Sequence, residues 1–199
     1  MCNGRIITAA GCAYQTAMAD FQLHSRATAP SASKPFLEQA QKTVGYVPAL
    51  AAQMAESPQL LEGYFALSAI FAKSTFTPAE QQLVLLAVSV EHDSHYCTPA
   101  HAHRARAAAL PEADIRGVRD RRRLSDPRLE ALRLFTVRMV RERGFLSDAE
   151  IETFVSAGFT RAQALDVVLA VGLKTMSNYV NHLAETPLDP PFANEVQVA

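Results

Sequence analysis

The chain has 199 residues, 49% hydrophobic and 20% charged, which is enough apolar material for one domain with a real core and excludes disorder throughout. Lysine plus arginine total 19 against 20 aspartates plus glutamates, a formal charge of -1, which excludes a global field that gathers nucleic acid or anionic membrane. The three cysteines, Cys2, Cys12 and Cys97, are odd in number and widely spaced, so they exclude a secreted disulfide framework and point to a reducing, cytoplasmic compartment.

Near the start, Arg5, the short apolar run Ile6 to Ala10 and Gly11-Cys12 outline a lipoprotein-type signal, but the run is too short for a signal core. No other segment reads as long and apolar enough to span a bilayer. Residues 1–30 are therefore expected to form a loosely ordered extension, and residues 31–199 the folded domain.

Helix punctuation dominates the rest of the chain. Ser57-Pro58 opens an apolar-periodic run through Leu60, Leu61, Tyr64, Phe65 and Leu67, with serine as N-cap and proline at the first helical position. Thr77-Pro78-Ala79-Glu80 adds a capping-box glutamate and leads into Leu83 to Val88. Asp126-Pro127 starts a helix whose Leu129, Leu132, Phe135, Thr136, Met139 and Val140 share one face. The capping box recurs at Ser147-Asp148-Ala149-Glu150 and Thr160-Arg161-Ala162-Gln163, and Gly144 and Gly158 mark helix ends.

No stretch alternates in the manner of a strand, so the chain reads as an all-α bundle. The run Ala164 to Leu183 is apolar on most faces, which predicts a central helix or a subunit interface, and with it a homo-oligomer. The arginines at 116, 119, 121, 122 and 123 lack interleaved aromatics and read as a solvated helix end and loop, with nucleic acid excluded as a partner.

The chemistry-bearing segment is Glu91-His92-Asp93-Ser94-His95-Tyr96-Cys97-Thr98-Pro99-Ala100-His101-Ala102-His103. Asp93 or Ser94 can cap a helix here, and Pro99 is tolerated only in or near a first turn. Cys97 then sits at a helix start, where the dipole favours a thiolate. His101, four residues on, shares its face and can take its proton. An alternative is that Cys97 is an inert buried thiol. His182 reads either as a buried, hydrogen-bonded histidine or as a second group reaching Cys97. The histidine-rich cluster lacks a structural-zinc spacing, so no metal or other cofactor is expected.

Ser94-His95-Tyr96-Cys97-Thr98-Pro99-Ala100-His101 resembles the Cys-x-x-Cys-x-x-x-His signature of the carboxymuconolactone decarboxylase/AhpD-like alkylhydroperoxidase family, with serine at the first cysteine. Gly45-Tyr46-Val47-Pro48, the Ser57-Pro58-Gln59-Leu60-Leu61 helix start, Thr77-Pro78-Ala79-Glu80 and Lys174-Thr175-Met176-Ser177-Asn178-Tyr179-Val180-Asn181-His182 are similar to family sequence too. The resemblance spans about residues 32 to 192. It implies an all-α, oligomeric AhpD-like bundle and a peroxide-reducing cysteine pair served by a glutamate and histidine relay. Carried over, the second cysteine is Cys97, the following histidine His101 and the intervening histidine His95. The relay glutamate falls on Gln82, which cannot shuttle a proton, and Ser94 cannot close a disulfide. Glu91 is a substitute carboxylate only if its loop folds inward.

Three functions follow from these residues. The first is a one-cysteine thiol peroxidase in which Cys97 attacks a hydroperoxide or another small molecule and is restored by an external thiol, with His101, Ser94, His95 and Gln82 in support. The second is a decarboxylase-like lyase using His101 and a carboxylate as acid and base. The third is a non-catalytic helical oligomer that keeps the scaffold.

Overall fold

A computed structural model describes residues 21–195, and Cys2 and Cys12 lie outside them. Among the described residues nine α-helices run in chain order: α1 Lys34–Val44, α2 Ala49–Met54, α3 Pro58–Phe71, α4 Pro78–Glu91, α5 Cys97–Ala107, α6 Glu112–Arg119, α7 Pro127–Arg141, α8 Asp148–Ser156 and α9 Arg161–Ala184. Short 3-10 turns flank them at Ser31–Ser33 and Pro190–Glu195. Among the described residues there is no strand, in keeping with the all-α expectation.

The caps fall where the sequence puts them. Ser57, Thr77, Asp126, Ser147 and Thr160 each accept a backbone N–H at the start of α3, α4, α7, α8 and α9. Thr77–Glu80, Ser147–Glu150 and Thr160–Gln163 close reciprocal capping boxes, each satisfying two otherwise orphan donors. Gly144 and Gly158 take positive φ after α7 and α8, a conformation that L side chains resist.

The central helix is α4. Leu83 to Val90 is buried without interruption, because α4 packs against α5, α6, α7 and α9 around its whole circumference. α9 packs against α2, α3, α4, α5, α7 and α8 and also leaves Leu165, Val168, Tyr179 and Leu183 exposed. Under α7 and α8, Phe154 stacks on Phe135 and Phe159 at centroid separations of 4.1 and 4.6 Å, and Arg128 lies 3.9 Å over the Phe159 ring while pairing with Glu80.

A second apolar cluster joins α1, α2 and α3 to the start of α5 and to Phe192. Asp189 ties the C-terminal segment to it. One carboxylate oxygen accepts from the Ala49 N–H at 3.0 Å and the other from the Tyr96 hydroxyl at 2.5 Å. Residues 21–30, assigned by the sequence to the extension, pack onto α2 through the His24 backbone N–H to Ala52 and buried Ala29. No single helix among the described residues is long and apolar enough to cross a membrane.

Candidate active site

Cys97 is the first residue of α5, and Pro99 occupies the first turn as expected. Neither Asp93 nor Ser94 is the formal N-cap; that residue is Tyr96, whose side chain makes no cap bond. Asp93 instead adopts a left-handed conformation and ends the turn after α4, so that Ser94 lies beneath the helix start and its Oγ accepts the Cys97 N–H at 3.2 Å. This serine satisfies an orphan helix donor without being the cap.

The Cys97 side chain is 2% exposed and faces α9. There Lys174, Ser177, Asn178 and Asn181 form a buried polar stripe at helical spacing on an otherwise apolar helix. Asn181 Nδ2 donates to Cys97 Sγ at 3.0 Å, and Ser177 Oγ stands 3.8 Å away. Asn181 Oδ1 is buried and has no hydrogen-bond partner among the described residues.

His101 does not meet the sulfur directly. Its Nδ1–H donates to Gln82 Oε1 at 2.9 Å, and its Nε2 accepts from Lys174 Nζ at 3.0 Å. Burial, with Lys174 and Arg104 nearby, holds the imidazole pKa well below its ordinary range, so the ring is neutral and this tautomer fits both contacts. Lys174 is 2% exposed. Burial also lowers its pKa, and Cys97 is the neighbour that favours its charged form. Gln82, His101 and Lys174 therefore form a hydrogen-bonded row beside Cys97, whose sulfur is met by Asn181 and Ser177 where the sequence placed direct imidazole contact.

A cavity of about 400 Å³ opens on this row of groups. Leu50, Ala51, Tyr64, Phe65 and Ala69 supply apolar walls, and Cys97, His101, Lys174 and Arg104 the reactive and charged ones. No carboxylate among the described residues lines it. A smaller cavity of about 170 Å³ lies on the Gln82 side and shares Tyr64, Ser68, His101, Arg104 and Lys174 with the first, so these side chains form the partition between them.

Three of the candidate residues are elsewhere. His95 Nε2 donates to the Thr186 carbonyl at 3.0 Å, because the turn from Asp93 to Tyr96 carries it to the opposite side from the cavity. Glu91 is held by Arg121 and Arg141, so its loop does not fold inward. His182 is exposed and stacks on Tyr179. Thus Cys97, Ser94, His101 and Gln82 converge, while His95, Glu91 and His182 do not. Lys174, Ser177 and Asn181 were missed as site residues. The available signal was their three-and-four spacing, which follows the apolar buried positions Val167, Ala170 and Leu173 of the same helix.

Residues 58–132 match the carboxymuconolactone decarboxylase family model. No curated protein matches the chain in sequence. Among solved structures, the chain is similar to the alkylhydroperoxidase AhpD core of an uncharacterized peroxidase-related protein from Ralstonia eutropha JMP134. The TM-score is 0.78 at 20% identity, over 88% of this chain and 94% of the other. An uncharacterized peroxidase-related protein from Silicibacter sp. TM1040 gives 0.74 at 20% identity, over 88% and 93%. A cysteine-to-alanine variant of the debrominase Bmp8 in complex with 2,3,4-tribromopyrrole gives 0.73 at 12% identity, over 88% and 95%. The chain thus has the AhpD-like fold, and its residues 58–132 are similar to the carboxymuconolactone decarboxylase family.

Proposed function

We propose that the protein is a one-cysteine thiol peroxidase of AhpD-like type. Cys97 attacks a small organic hydroperoxide bound in the 400 Å³ cavity, becomes a sulfenic acid and is restored by an external thiol. The observation that carries this reading is the buried Cys97 sulfur with Asn181 Nδ2 3.0 Å away and Lys174 beside it, at the wall of an apolar cavity. Asn181 supplies a hydrogen bond to the sulfur and Lys174 an amine beside it, whereas the family signature has a relay carboxylate. Gln82 fixes the His101 tautomer, and His101 in turn orients the lysine. Ser94 holds the helix start.

The lyase alternative requires a carboxylate beside His101, and among the described residues the cavity offers none. A scaffold role gives no reason to bury an amine with no carboxylate acting on it. A second reading is favoured by one structural neighbour, a debrominase solved as a cysteine variant with a brominated pyrrole: the same sulfur and cavity suit attack on a flat halogenated ring.

Single-turnover mixing with cumene hydroperoxide tests the proposal. The expected result is loss of one hydroperoxide per Cys97, abolished by Cys97→Ser. Hydroperoxide left unchanged, with bromide released from tribromopyrrole, would move the assignment to dehalogenation.

A further inference from the structure

An AhpD-like cycle with one cysteine lacks the thiol that would normally capture the sulfenic acid. Ser94, at the position of that thiol in the family signature, has its oxygen engaged by the Cys97 N–H at 3.2 Å and cannot form a disulfide. On α9, which the sulfur faces, and on the lining of the same cavity, the structure provides an amine. Lys174 is buried on α9, its Nζ is fixed 3.0 Å from His101 Nε2, and the groups acting on it are Cys97 and Arg104, with no carboxylate among them. Burial lowers the pKa of this amine, so it gives up its proton and offers a lone pair to a neighbouring electrophile more readily than a solvated lysine does. Asn181 Oδ1, next to the amide nitrogen that contacts Cys97 Sγ, is a buried acceptor without a partner among the described residues. It is suited to a hydroxyl that the thiol lacks and a sulfenic acid has.

We propose that Lys174 is the resolving group of this site: its amine condenses with the Cys97 sulfenic acid to give a sulfenamide, an S–N bond between the two side chains. The inference rests on the thiol peroxidase reading. In the first step the Cys97 sulfur attacks the terminal oxygen of a hydroperoxide and the O–O bond breaks. The alcohol leaves with a proton, the sulfur being oxidised by two electrons and the peroxide reduced by two. In the second step the Lys174 Nζ lone pair attacks Sγ and the S–O bond breaks. The departing hydroxide becomes water with the proton that Nζ sheds through His101 Nε2, so this step is not a net oxidation. An external thiol then attacks Sγ, breaks the S–N bond and returns a proton to Nζ. A second thiol releases the resulting mixed disulfide and restores Cys97. The S–N bond keeps the sulfur from oxidation to the sulfinic acid, which thiols do not reverse.

The test uses the full chain with Cys2→Ser and Cys12→Ser, leaving Cys97 as its one thiol. It is treated with one equivalent of cumene hydroperoxide, and both intact and digested protein are weighed by mass spectrometry. The expected product is lighter than the thiol form by two hydrogen atoms, yields a linked pair of peptides containing Cys97 and Lys174, and reverts with a monothiol. In a Lys174→Met variant the link is absent, and excess hydroperoxide drives Cys97 to sulfinic acid. Wild-type Cys97 that gains an oxygen and is trapped by dimedone without a link to Lys174 would overturn the sulfenamide while leaving the peroxidase reading intact. A link that retains an oxygen between nitrogen and sulfur would also overturn it. Cys97 recovered wholly as thiol would overturn both.

Discussion

Replacing Lys174 with methionine separates a functional lysine from a structural one, because the two roles predict opposite signs. Methionine matches the length of the stem and fills irregular space, so the cavity wall is kept. Removing the amine leaves His101 Nε2 without its 3.0 Å donor, a loss of about 1–3 kcal/mol for a buried neutral acceptor. Against this, the variant no longer carries a buried amine without a carboxylate, whose burial costs several kcal/mol, roughly, if it is charged. The contact with Cys97 offsets only part of that cost. The balance favours the variant by about 1 kcal/mol near neutral pH, or roughly 2–4 °C in melting temperature for a chain of this size. The lysine pKa is lowered in the fold, so the unfolded chain binds more protons between that lowered value and the ordinary 10.5. Wild-type stability therefore rises with pH through this window, and the advantage of the variant shrinks. Thermal unfolding at pH 7 and at pH 10, alongside the rate of hydroperoxide consumption, reads both sides of the exchange. A stabilised but slow variant is expected. A variant destabilised by more than about 2 kcal/mol at every pH, the scale of a broken buried network, would make Lys174 a structural anchor and refute the reasoning.

The neutral His101 has a pKa well below the ordinary 6.5, so the unfolded chain takes up a proton that the folded one refuses, and stability falls as pH drops below 6.5; in urea titrations, His101→Gln should flatten this acid limb, and an unchanged slope would contradict the assignment. Ser94→Cys restores a thiol beside the Cys97 N–H and should raise turnover with a dithiol reductant, with Gln82→Glu adding to the gain; a folded double variant with titratable thiols and no gain would show that the missing thiol is not the main defect. We further expect a homo-oligomer built on the exposed stripe of α9, where Leu165 is 71% and Leu183 67% exposed; light scattering coupled to gel filtration should show it, and Leu165→Glu with Leu183→Glu should release monomers, whereas a monodisperse wild-type monomer would contradict the expectation.

Helices with chemical punctuation could be read directly from the chain. Serine, threonine or aspartate before proline or before a capping-box partner declared α3, α4, α7, α8 and α9, since each cap satisfies donors within four residues of itself. α2 escaped, because it is six residues long and starts after Pro48 with no side-chain cap. At the site, local spacing carried Ser94, Cys97 and His101 onto one turn and one helix. It could not reveal that α9, some 80 residues later, brings Lys174 onto the imidazole and Asn181 onto the sulfur, a distance that only tertiary packing spans. The left-handed Asp93 explains His95 in the same way: one turn residue redirects the side chain, and spacing alone does not carry that information.

The central claim is that Cys97 reacts with small apolar substrates inside the cavity bounded by Leu50, Phe65 and Ala69. Its most direct test is the second-order rate of Cys97 oxidation by cumene hydroperoxide compared with hydrogen peroxide, in wild type and in Phe65→Ser. The apolar walls should favour the organic hydroperoxide by about tenfold or more, the ratio that roughly 1.4 kcal/mol of apolar contact supplies, and Phe65→Ser should reduce that preference while leaving the hydrogen peroxide rate in place. Equal rates for the two oxidants, unchanged by Phe65→Ser, would contradict the account.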